Sequence, residues 1–94
     1  MFINIPASGQ ATLEDADNFK AFKVVIAPDA PSAAFAAIGR RDGGHVWVNP
    51  AWLKTNGRPE DPTWLAGLEK MLGFAKGAGW LDETGAVRAH VEAA

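Results

Sequence analysis

The hydrophobic patterning of this chain predicts an α+β fold, on three observations. Four short runs, at 2–5, 19–27, 45–49 and 86–92, alternate apolar and polar residues with the two-residue period of a strand. One longer stretch, 62–76, repeats apolar residues at three- and four-residue spacing, the period of a helix. Loops rich in glycine, proline and aspartate separate these runs. The expected architecture is a small single domain over residues 1–94. It has a mostly antiparallel sheet of about four strands, with one main helix (62–76) packed on one face.

Taken in order, Phe2 to Ile5 is a short first strand ended by Pro6. Thr12 to Asn18, crowded with acids and an amide, reads as a helical turn or a loop. Phe19 to Ala27 is a strand with Phe22, Val24 and Ile26 on one face and Lys23 and Val25 on the other. Pro28 and Pro31 then force a turn. Residues 33–41 admit two readings. Their alanines, with Pro31 before and Gly39 after, suit a helix, whereas Asp42-Gly43 ahead of the strand His45–Asn49 suits a hairpin. The hairpin is preferred; it sets Arg40 opposite His45 and Ile38 opposite Trp47. Asn49-Pro50 and Asp61-Pro62 each pair an N-cap residue with proline at the first helical position. They open a short helix to Asn56 and the main helix. Gly67 and Gly73 inside that helix imply close packing against a neighbour. The last strand places Val87, Ala89 and Val91 inward and Arg88, His90 and Glu92 outward.

Composition excludes several classes of function. Nine basic residues against eleven acidic ones give a net charge of −2, which argues against a dedicated nucleic-acid binder. No apolar run approaches the roughly 18 residues of a membrane span. The amino-terminal residues lack the basic start and apolar core of a signal peptide, so the expected location is cytoplasmic. The absence of cysteine removes disulfides, thiolate catalysis and cysteine-ligated zinc. No cofactor motif is present: Asp42-Gly43-Gly44 is followed by a strand, not by the helix that phosphate-binding loops require. Two histidines without a matching carboxylate spacing predict no metal site.

The candidate ligand or interface residues are Arg40, His45, Trp47 and Trp52, clustered around the strand-to-helix junction. Four Trp and five Phe are many for so small a core, since each aromatic covers roughly 150–250 Å². Trp64 is expected in the core and Trp80 at its end, while Trp47 can face a second surface. A second grouping, Lys20, Lys23, Arg40 and Arg41, gathers at one end of the sheet if strand 19–27 pairs antiparallel with 35–41. The expected function is a non-catalytic module that self-associates as a homodimer or binds a protein partner. The alternative is a small-molecule or anion-binding enzyme with an acid–base site near His45, Arg40 and Asp42.

Overall fold

The computed structural model describes residues 1–94, and in it the alternating runs become strands of one larger sheet. The strands are β1 (Phe2–Ile5), β2 (Thr12–Glu14), β3 (Lys23–Ile26), β4 (Gly39–Asp42), β5 (His45–Val48) and β6 (Val87–Ala93). Their order across the sheet is β2-β1-β3-β6-β5-β4. β1–β3 and β3–β6 are parallel pairs, and the other three are antiparallel. The expectation of about four mostly antiparallel strands is therefore corrected to six strands in a mixed sheet. The α+β class stands.

Two of the six strands carry almost no apolar signal. β2 stands where a helical turn or a loop is expected at Thr12–Asn18; it is three residues long and pairs with β1 at the sheet edge. β4 reads Gly-Arg-Arg-Asp and forms the opposite edge. Residues 33–41 divide between the two readings: Ala33–Ile38 is helix α1, against the preferred strand reading, and only Gly39–Asp42 is strand, so Ile38 does not pair with Trp47. The hairpin turn falls on Gly43-Gly44 instead of Asp42-Gly43, so Asp42 pairs with His45 and Arg40 with Trp47. Gly43 takes φ +60°, as the first central residue of a type II′ turn requires. Gly39 is needed for contact: a Cβ there would lie 1.8 Å from the Trp47 carbonyl oxygen.

The helices follow the predicted caps. α2 (Pro50–Asn56) starts where the Asn49 side chain accepts a hydrogen bond from the Ala51 amide at 3.0 Å. α3 (Pro62–Gly77) starts where the Asp61 carboxylate accepts from the Thr63 and Trp64 amides. Each cap satisfies backbone donors that the first turn leaves unpaired. Neither helix α2 nor α3, nor α1, is long and apolar enough to cross a membrane.

Strand parity then divides the sheet into two faces. Ile3, Ile5, Val24, Val46, Val48, Val87 and Ala89 share the first, and all are buried. The helices supply Phe35, Ile38, Leu53, Trp64 and Leu68 to the same core. Trp64 ties three segments together: its indole covers Gly57, it stacks at a tilt on Phe19, and its Nε1–H donates to the Ala16 carbonyl at 2.8 Å. Gly67 packs as expected, since a Cβ there would meet the Phe19 ring at 2.6 Å. Gly73 faces open space, so close packing explains only one of the two helix glycines.

Candidate functional site

The second face of the sheet carries no helix, and the strand registers set its side chains in rows. One row crosses all six strands: Glu14, Phe2, Lys23, His90, His45 and Asp42. The next holds Arg88, Trp47 and Arg40. Three of the four predicted candidates, Arg40, His45 and Trp47, thus lie on one face. Trp52 does not join them; it is half-buried against the core from α2. The two histidines are directly opposed across β5 and β6.

Each ionisable side chain of this face has a partner within the chain. Arg88 Nη2 donates to His45 Nε2 at 3.1 Å. A guanidinium can only donate, so that ring nitrogen accepts and the proton sits on Nδ1. Glu92 bridges two donors, accepting from Lys23 Nζ at 2.8 Å and from His90 Nε2 at 2.9 Å. Lys23, and after it His90, hold the Glu92 carboxyl below the usual range. Asp42 accepts from the Trp47 indole at 3.4 Å. Arg40 pairs with Asp82 at 3.3 Å, and its guanidinium lies 5.8 Å from the centre of the Trp47 ring. The expected cluster of Lys20, Lys23, Arg40 and Arg41 does not form, because β3 pairs with β1 and β6 while β4 is the far edge.

Asp82 organises the turn that leads into β6. Its carboxylate accepts from the Thr84 hydroxyl at 2.6 Å and from the Thr84 and Ala86 amides at 2.9 Å each. The Thr84 hydroxyl is the largest cause of a carboxyl held below its ordinary value of 3.8; the backbone amides and Arg40 add to it. These bonds favour the ionised form. Their contribution is therefore complete above the unfolded carboxyl's pKa and disappears as pH falls through the lowered folded value. Carbon-detected NMR titration should place the Asp82 midpoint below 3.8, with the Thr84 and Ala86 amides moving at the same pH. A midpoint at or above the ordinary value would refute this account of the turn.

Two concavities border these elements. The first is a cleft of about 500 Å³ between the β4–β5 hairpin and the Asp82 turn, lined by Arg40, Trp47, Asn49, Asp82 and Thr84 among others. The Arg40–Asp82 pair is formed by two of its lining residues. The second is an apolar groove, also about 500 Å³, between the second half of α3, the segment 19–22 and the start of β6. Phe19, Phe22, Met71, Phe74 and Trp80 line it. Phe74 is 71% exposed and Trp80 46%, the two large hydrophobic side chains most open to solvent, and their rings meet edge to face at 5.9 Å. Trp80 thus forms a groove wall at the end of the core.

The sequence contains a sign of this groove. At about 100° per residue, Phe74 falls roughly 125° from the centre of the stripe formed by Leu65, Leu68, Met71, Leu72 and Ala75. A phenylalanine so far off the buried stripe has no core to enter. Comparison with known proteins returns no matching family model, no matching curated protein and no matching solved structure, so these surfaces are read from their own geometry.

Proposed function

We propose that the chain is a non-catalytic binding module that docks another polypeptide, whether a second copy or a partner, in the groove formed by Phe74 and Trp80. The exposure of those two aromatic side chains, beside Phe19, Phe22 and Met71, carries this reading. Contiguous exposed apolar surface marks interaction sites, and aromatic anchors dominate binding energy at interfaces. The open sheet face is a weaker docking surface, since its Lys23, Glu92 and Arg40 charges are already paired within the chain.

Phe74→Asp tests the reading. Because the side chain is mostly exposed, the variant should keep its thermal stability within about 0.5 kcal/mol. It should nevertheless lose any concentration-dependent sedimentation and every peptide selected from a displayed library on the unmodified protein. A strict monomer from which no Phe74-dependent peptide can be selected would overturn the proposal.

A second reading rests on the cleft, where the Arg40 side chain is 64% exposed beside the Trp47 ring. An arginine next to an aromatic wall suits a small planar anion. Small carboxylates and phosphates should then shift the Trp47 indole resonance in the unmodified protein and leave it unmoved in Arg40→Ala. Equal spectra for the two proteins with every anion tested would remove this reading.

A further inference from the structure

The apolar groove carries charge of one sign only. Lys20 and Arg88 are the only ionisable residues that line it. Neither has a carboxylate partner: the chain's six ion pairs leave both out, and the bond of the Arg88 guanidinium goes to the neutral acceptor on His45. Lys23, Arg40, Lys54 and Arg58 each contact an aspartate or glutamate, whereas Arg41, Lys70 and Lys76, like Lys20 and Arg88, contact none; what sets Lys20 and Arg88 apart is their place on the walls of the apolar groove. The net charge of the chain is −2, so two uncompensated cations beside the most exposed aromatic residues run against the overall balance.

The composition of the walls points the same way. Phe19, Phe22, Met71, Phe74, Trp80 and Arg88 are of the residue types enriched at the centres of protein interfaces. Resting on the reading of the groove as a protein-docking surface, we infer that its occupant is a short acidic amphipathic segment of a partner protein. An apolar side chain of that segment sits between Met71, Phe74 and Trp80, and an adjacent aspartate or glutamate meets Lys20 and Arg88. The apolar wall gives affinity; the two cations select against neutral and basic segments. An anionic bilayer is a poorer match. Recognition of such surfaces uses clusters of about four to eight basic residues, and the site here is a groove with two.

Three synthetic peptides test this on the full chain labelled with nitrogen-15. All carry two leucines one helical turn apart, flanked by glutamates, glutamines or lysines. The glutamate peptide should shift the Met71 and Phe74 amides and the Trp80 indole saturably. It should bind about fivefold tighter than the glutamine peptide and tighter still than the lysine peptide, the expected effect of two partly exposed ion pairs. Lys20→Glu/Arg88→Glu should reverse that order; both side chains are exposed, and Lys20→Glu alone shows the same change at smaller size. Equal binding of all three peptides overturns the acidic partner and leaves the docking surface standing. No shift with any peptide overturns the inference, while the library selection separately decides whether the groove docks protein at all. Displacement of the same resonances by phosphatidylserine vesicles, with no response to the glutamate peptide, overturns it in favour of a membrane.

Discussion

Gly39→Ala should cost the protein about 3 kcal/mol or more, the upper range for forcing extra volume into a packed site. The added carbon would lie 1.8 Å from the Trp47 carbonyl oxygen and 2.8 Å from its carbonyl carbon. Both atoms are backbone, so no rotamer change relieves the contact. The edge strand β4 must separate from β5, and Arg40 is carried away from Trp47. Urea unfolding should show the lower midpoint, and the Trp47 indole resonance should move even in the folded variant. Gly73→Ala is the control of opposite sign. It has nothing within 4 Å, lies inside α3, and should gain about 0.5–1 kcal/mol from helix propensity. Equal stability losses at the two glycines would show that contact at Gly39 is not what demands glycine there.

Trp64→Ala should destabilise the chain by about 3–5 kcal/mol. For a domain whose total stability is of the order of 5–15 kcal/mol, that is enough to leave a substantial unfolded fraction. The indole is 3% exposed and fills the space between the amino end of α3, Gly57 at the end of α2, and Phe19. Its loss also removes the hydrogen bond to the Ala16 carbonyl. Coupling gives a sharper check. Gly57→Ala places a carbon 2.2 Å from Trp64 Cη2 and 2.9 Å from the Leu53 carbonyl oxygen, so it should be costly with Trp64 present and less costly, with only the Leu53 contact remaining, in the Trp64→Ala background. Additive losses in calorimetry would mean that the two residues do not share this contact.

The strands that could be read from the chain were those that bury their own alternate residues. Ile3 and Ile5, Val46 and Val48, and Val87 and Ala89 announce their faces by period alone. β4 has no large apolar side chain and β2 has only Leu13; backbone pairing to stronger neighbours makes them strands, and composition does not record that. Strand direction was equally hidden, because the parallel β3–β6 pair joins residues separated by most of the chain. The helix starts were legible since Asn49-Pro50 and Asp61-Pro62 act locally.

The grouping of Arg40, His45 and Trp47 survived a misplaced turn for a physical reason. Moving the hairpin turn by one residue slid the pairing by two positions, from Arg40 opposite His45 to Arg40 opposite Trp47, and a shift of two preserves the faces. The opposition of His45 and His90 was out of reach, as it depends on the non-local β5–β6 pairing. The groove was signalled by Phe74 lying off the apolar stripe, but its other walls come from residues 19–22 and 80, which only the folded chain brings to it.

The position of β6 bears on the order in which this protein can assemble. β2, β1 and β3 form one block from the first residues, and β4 and β5 form another; within the sheet the two meet only through the last strand. A nascent chain lacking residues 87–93 would hold two partial sheets with exposed edges facing the gap between them. Sheet closure therefore waits until residues 87–93 have been made, and it joins contacts of high sequence separation, which slows folding. A chain stopped at residue 86 should expose the edges of β3 and β5 to pairing with other chains. Its aggregation, where the chain of residues 1–94 does not aggregate, would mark β6 as the strand on which the two blocks depend.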